Sequence, residues 1–239
     1  IIAIITVFFA SAAAAPFTSL LTALILMLVI LLGVFVTMGV SKLLSLTLLK
    51  GESSSFTLEL PPYRSPQIGK IIVRSILDRT LFVLGRAVVV AAPAGLIIWL
   101  LANIKVGNTA LISYATNFLD PFARILGMDG IILAAFILGF PANEIVIPIM
   151  IMLYTNTGVL TDTDSLSQMF SLFTANGWTV TTALCVIVFY LMHFPCSTTC
   201  LTIKKETGSI KWTLVSMILP TVIGIILCLI TANIMRIFI

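Results

Sequence analysis

Apolar residues run almost unbroken along this chain, and the places where they stop define its elements. A first apolar segment, Ile1 to Ala15, ends at Pro16, and a second runs from Phe17 to about Leu49. A helix rises about 1.5 Å per residue and needs roughly 20 apolar residues to cross a bilayer. The second segment meets that length, and the first reads as the end of a truncated helix. The chain opens on Ile1 with neither an initiator Met nor a basic n-region, so it is expected to continue upstream.

The pattern changes between 50 and 86, where Lys50, Arg64, Lys70, Arg74, Arg79 and Arg86 fall together. A bias of Lys and Arg toward one side of the membrane places this stretch in the cytoplasm. Pro61, Pro62 and Pro66 mark its first part as a loop, which also carries Glu59, Tyr63 and Arg64. From Gln67 to Val83, Ile68, Ile71, Ile72, Ile76, Leu77 and Leu81 recur near helical period, and Lys70, Arg74 and Asp78 share another face. That is an amphipathic helix suited to the interface, leading into the next span.

The next span covers about Ala87 to Ala102, with Trp99 as an interfacial anchor; a mixed stretch follows, with a short helix around Tyr114 to Leu126. Ile131 to Tyr154 is then apolar except at Gly139-Phe140-Pro141-Ala142-Asn143-Glu144. Backbone groups freed by such a break at membrane depth must be buried in protein or line a polar cavity, so the break suggests a site. The stretch from Thr155 to Gly177 reads as a loop holding Asp162 and Asp164 and no Lys or Arg, whereas Lys204, Lys205 and Lys211 follow the next span. Two half-helices turning back as a re-entrant hairpin keep the acidic loop outside and the lysines inside; a full crossing inverts that bias twice.

A further span, Trp178 to Met192, runs into His193-Phe194-Pro195-Cys196-Ser197-Thr198-Thr199-Cys200, and the last extends from about Trp212 to Phe238, where Pro220 and Gly224 are expected to bend it. Phe140-Pro141-Ala142-Asn143 and Phe194-Pro195-Cys196-Ser197 each set an aromatic, a proline, a small residue and a polar residue at a break. Paired breaks of this kind mark the midplane sites of transporters. Gly139, Pro141, Pro148 and Pro195 are the expected helix-breaking positions.

Composition excludes the soluble classes. Of 239 residues, 60% are hydrophobic and 9% charged, with a mean hydropathy of +1.21, against about 25% charged in soluble domains. The reading is an all-α polytopic bundle with broken or re-entrant helices and a cytoplasmic amphipathic helix: transmembrane helices over 1–49, the cytoplasmic segment over 50–86, and a gate-type region over 87–239 with breaks at 139–144 and 193–200. Lipid is the first partner and nucleic acid is not one, because the net charge of +4 rests on few, scattered basic residues. Cys185, Cys196, Cys200 and Cys228 lie in or beside apolar runs and form no disulfide framework.

Three separated motifs carry a resemblance over nearly the whole chain: Phe56-Thr57-Leu58-Glu59-Leu60-Pro61-Pro62-Tyr63-Arg64; Phe140-Pro141-Ala142-Asn143-Glu144-Ile145-Val146-Ile147-Pro148; and Pro195-Cys196 followed by Ile203-Lys204-Lys205-Glu206-Thr207-Gly208. Together they resemble the C-terminal membrane half of the bacterial ferrous iron transport protein B family. The resemblance implies Fe2+ as the transported substrate, the bacterial cytoplasmic (inner) membrane as the location, and an upstream GTP-binding domain and N-terminal membrane half as partners. Small accessory cytoplasmic proteins are further expected partners, and homo-oligomerisation stays open. No Gly-x4-Gly-Lys-Ser/Thr phosphate loop occurs in this chain, so GTP and Mg2+ enter only through a domain absent from it, and the chain itself is not expected to be an enzyme.

The residue chemistry stands beside that resemblance. Glu144 is the one acidic residue within an apolar segment; it is read either as an ion ligand with Asn143 or as a cap on the second half-helix. His193, Cys196 and Cys200 share a face if the helix is unbroken, giving imidazole and thiolate for a soft cation, although buried Cys more often behaves as a small apolar residue. Cys196 matches the family's Pro-Cys motif. Ser197 and Thr199 either line the path or bond back to helix carbonyls. A nucleoside-type or other small-solute transporter of the same architecture is the alternative.

Overall fold

The computed structural model describes residues 1–10, 15–47, 67–74, 80–107, 109–160 and 165–238. Helix α1 (Ile2–Ile5) passes into a π-helical stretch, Thr6–Ala10, and α2 (Ala15–Leu46) follows. Pro16 lies in the first turn of α2, where its missing N–H costs no hydrogen bond. After α3 (Ile68–Arg74) and α4 (Phe82–Asn103) comes the one strand pair among the described residues, β1 (Lys105–Val106) antiparallel to β2 (Thr109–Ala110). The chain divides into two units, Ile1–Val29 with Val90–Ile239, and Ile30–Val89.

In the second unit, the described part of the expected amphipathic helix forms α3, with Lys70, Ile72 and Val73 all exposed. Residues 75–79 and the loop carrying Glu59, Pro61, Pro62, Tyr63 and Arg64 lie outside the described residues. Helix α4 starts at Phe82, and its apolar part, Ala87–Asn103, agrees with the expected span.

The first unit holds the core. Helix α5 (Leu111–Ile125) turns by 110° into α6 (Gly130–Leu138), and the two pack extensively. Gly130 makes this crossing possible: a Cβ there would run into the Thr116 carbonyl oxygen. Helices α7 (Val146–Thr155) and α8 (Leu166–Ala175) follow, then α9 (Val180–Met192), α10 (Ser197–Thr207) and α11 (Ile210–Phe238). Phe136, Ile149, Met150, Phe173, Cys185 and Val186 are fully buried among them, and all four cysteines are free.

Helix α8 corrects the expected loop between Thr155 and Gly177. Its signal was present: Leu166, Met169, Phe170 and Phe173 follow a helical period behind Ser165, whose hydroxyl accepts from the Gln168 N–H at 3.3 Å. At Gly224 the structure supplies a packing reason for the small residue, since an added Cβ would lie 3.3 Å from the Met192 carbonyl oxygen.

Among the described residues three helices are long and apolar enough to span a membrane, Phe17–Leu46, Val180–Thr207 and Ile210–Ile237, with the bent α5–α6 pair as a fourth candidate. The chain is an all-α helical membrane bundle. Gly130→Ala should lower its stability by about 1 to 3 kcal/mol, the usual cost of overpacking, read as an earlier thermal unfolding transition in detergent. Gly39→Ala, where nothing lies within 4 Å of the added Cβ, should not lower it.

Candidate functional site

The first break is a hairpin. Asp129 caps α6, its Oδ1 accepting from the Ile132 N–H at 2.7 Å. The helix stops at Gly139, where a Cβ would collide with Val146 Cγ2, so the returning arm of the hairpin presses directly on this residue. Pro141 follows without an N–H to extend the ladder, and a 3-10 turn, Asn143–Ile145, leads into α7. Helices α6 and α7 pack on one another, and the Tyr154 hydroxyl near the end of α7 donates to Asp129 Oδ2 at the start of α6. Trp178 Nε1–H donates to the same hydroxyl at 2.7 Å. The two ends of the segment therefore meet, as the re-entrant reading requires. Pro148 breaks nothing: it sits in the first turn of α7, where its missing donor has no partner to lose.

The second break is narrower than expected. It covers 193–196, because residues 197–200 already belong to α10, with Cys196 at its N-cap. His193 ends α9 in an extended conformation (ψ 174°). The extended backbone at His193 and Cys196 breaks the helical register and removes the single face on which His193, Cys196 and Cys200 were to lie. Cys196 Sγ instead sits 3.1 Å from both the Thr198 and Thr199 hydroxyls, and buried Cys200 directs its thiol to the Pro195 carbonyl at 3.5 Å.

The two breaks meet. The Ser197 N–H donates to the Phe140 carbonyl at 2.9 Å, and its hydroxyl donates to the Pro141 carbonyl at 3.3 Å. Phe140 and Phe194, the corresponding aromatics of the two motifs, contact edge to face at 5.7 Å. The Tyr190 hydroxyl crosses from α9 to the Asn143 carbonyl at 2.6 Å. Carbonyls freed by one break are thus taken up by donors from the other, which is how irregular backbone survives in an apolar surrounding.

This crossing brings Gly139, Pro141, Asn143, His193, Pro195 and Ser197 together. Glu144 and Thr199 are exposed on the surface of the chain, and Cys196 is half-buried. Glu144 caps neither the 3-10 turn nor α7, since neither receives a side-chain cap. Asp129, Tyr154, Trp178 and Tyr190 were missed; a Tyr inside an apolar run, like a carboxylate, needs a polar partner, and that is the signal that could have found two of them. Among the described residues no group of three or more His, Cys, Asp and Glu is placed to hold a metal. An apolar cavity of about 440 Å³, lined by Ala94, Ile98 and Trp99 of α4 and by Pro141, Ala142 and Ile145, lies beside the first break.

Comparison with known proteins decides the family. The family described as ferrous iron transport protein B C terminus matches residues 26–78, and the gate family described as nucleoside recognition matches residues 84–210, more than half of the chain. The chain belongs to the gate family, and the segment before the gate matches the C terminus of ferrous iron transport protein B. The Fe(2+) transporter FeoB of Staphylococcus aureus (strain MSSA476) is 27% identical over 224 residues, covering 90% of this chain and 32% of its own length. The FeoB proteins of Leptospira interrogans and Helicobacter pylori are 27% and 22% identical, over 77% and 84% of this chain and 29% and 37% of their own. The chain spans about a third of the length of these relatives. No solved structure matches it. As a gate region of this family it is a multi-pass membrane protein, and its breaks coincide with the matched gate segment.

Tyr154→Phe removes the group that joins Asp129 to Trp178 and leaves both without this partner. Hydrogen bonds to a charged acceptor contribute about 1.5 to 3 kcal/mol, so the variant should unfold earlier in detergent by that amount, whereas Tyr114→Phe, at an exposed tyrosine on α5, should change stability less.

Proposed function

We propose that this chain is the gate of a permease that moves Fe2+ across the bacterial cytoplasmic membrane, with the two hydrogen-bonded helix breaks as the point of passage. The observation that carries this reading is the Ser197–Phe140 bond, which holds two irregular, polar-lined segments against each other within an apolar bundle. The names of the relatives support Fe2+ as the cargo. A nucleoside cargo is not favoured: the gate segment follows a ferrous iron transport segment in the same chain, and the relatives above are named Fe(2+) transporters.

In this reading Glu144 and Asn143 supply oxygen to the cation, and Cys196 supplies a soft sulfur on the other break. Cys200, Ser197 and Thr199 belong to the same wall. Fe2+ meets the exposed carboxylate of Glu144 before any buried ligand, so charge attracts it and neutral groups let it move on. The chain contributes permeation and no chemistry of its own; GTP and Mg2+ act through an upstream domain that joins the segment 50–86. There the Pro61-Pro62 loop and α3 pass movement to the spans of 87–239, while 1–49 anchors the assembly in lipid. The upstream membrane half and small cytoplasmic proteins are the proposed partners.

The test is radiolabelled Fe2+ uptake by cells carrying the full-length parent at matched membrane expression. Glu144→Gln and Cys196→Ser should each lose most uptake while Cys200→Ser, whose thiol is turned to the Pro195 carbonyl, keeps it. Normal uptake in both of the first two variants would end this reading of the path. Replacing Pro61 and Pro62 together by Ala should reduce uptake with membrane insertion unchanged, and unaltered uptake would remove the coupling role of that loop.

A further inference from the structure

At the crossing of the two breaks the donors are already engaged. Ser197 gives its N–H and its hydroxyl to Phe140 and Pro141, Tyr190 gives its hydroxyl to the Asn143 carbonyl, and His193 places Nδ1 at 2.9 Å from the Tyr190 carbonyl. A carbonyl oxygen only accepts, so Nδ1 carries the hydrogen, and in the neutral ring Nε2 is left as a lone pair. That nitrogen is buried without a partner, as is Asn143 Oδ1. His193 is 8% exposed, and the rings of Phe136, Tyr190 and Phe194 enclose it with centroids at 5.2, 5.5 and 5.3 Å. The Tyr190 hydroxyl is already committed to Asn143, and the two phenylalanine rings have no polar hydrogen to give to Nε2.

A buried acceptor without a donor costs about 1 to 3 kcal/mol, and two of them flank Tyr190, one on each break. Both are electron-pair donors toward a ligand, so what completes them is electrophilic: a cation or the hydrogens of water. Glu144, next to Asn143 in the same 3-10 turn, adds negative charge to that side, and among the described residues it makes no ion pair.

We propose that His193 Nε2 and Asn143 Oδ1 form a nitrogen–oxygen coordination step for a divalent first-row transition cation, and that the imidazole makes the crossing selective against hard cations. The proposal rests on the cation-transport reading above and adds the residue that discriminates. Mg2+ and Ca2+ take oxygen ligands almost exclusively, whereas imidazole suits Fe, Zn, Cu and Ni. Two neutral ligands hold an ion weakly, in keeping with a site that must release its ion as readily as it takes it, and excess Co2+ fills it.

The substitutions separate a ligand from a structural histidine. Asn can reproduce the Nδ1–H donor to Tyr190 and lacks an atom at Nε2; Gln reaches the Nε2 position with an oxygen. In the full-length parent, His193→Asn should lower Fe2+ uptake at sub-saturating metal about tenfold, the low end of what losing ligand support costs at metal sites. His193→Gln should retain more uptake and become more sensitive to competition by Mn2+. Independently of transport, Co2+ added to the purified full-length protein in detergent should give a visible ligand-field band in the wild type that is absent from His193→Asn. Wild-type uptake together with an unchanged His193→Asn variant, or a Co2+ band that survives His193→Asn or is missing from the wild type, overturns the coordination step and assigns Nε2 to a buried water. Absence of Fe2+ uptake by the wild type overturns the transport reading itself, and the Co2+ measurement still decides the site.

Discussion

A helix interrupted in an apolar medium leaves carbonyls and N–H groups that water cannot reach, and the rest of this structure follows from how that demand is met. Here α9 and the start of α10 supply donors to the carbonyls of the first break. The N–H that opens α10 goes to the carbonyl of Phe140, and the phenol of Tyr190 goes to the carbonyl of Asn143. The first break thus depends on the second for these partners.

The hairpin geometry is the second consequence. For α6 and α7 to present Gly139 through Glu144 to α10, the segment has to return on itself, and the ends of the return are joined by Tyr154 and Asp129 with Trp178 behind them. Trp178 stacks on Phe173 of α8 with centroids at 4.3 Å, and on Phe8 at 5.7 Å. A polar triad at one end of the hairpin and a polar crossing at the other thus bracket an apolar middle. The middle packs by shape, as Phe136 against Phe189 does at 4.8 Å, and the ends fix the register.

Much of this was legible in the sequence because a proline beside polar residues in an apolar run cannot be absorbed by a continuous helix without loss of a bond. Phe140-Pro141-Ala142-Asn143 and Phe194-Pro195-Cys196-Ser197 mark both breaks, and the charge asymmetry between Asp162, Asp164 and the lysines after the second break favours the hairpin that the Tyr154–Asp129 bond now shows. What could not be read was anything set by contact between distant residues. Asp129 and Tyr154 are 25 positions apart, and nothing local says that a capping carboxylate will also take a phenol. The supposed common face of His193, Cys196 and Cys200 failed because the backbone is extended at His193 and Cys196, so helical spacing across the break has no meaning. Helix α8 was overlooked for a different reason: it is short, flanked by polar residues, and its period was outweighed by the acidic loop around it.

The candidate ligands are also graded in a way that the spacing alone did not show. Glu144 is charged and exposed, Cys196 is half-buried, and Asn143 Oδ1 and His193 Nε2 are buried and neutral. An exposed carboxylate in an apolar segment is too costly to face acyl chains, so the surface around it meets protein or water. Deeper in, a second carboxylate would bind a divalent ion too firmly to let it pass, since opposite charges interact more strongly as water is excluded. Neutral lone pairs avoid that trap. They can replace part of a hydration shell without adding a net charge for the ion to leave behind, and this is the physical reason to expect the imidazole and the amide, more than the carboxylate, to hand an ion on.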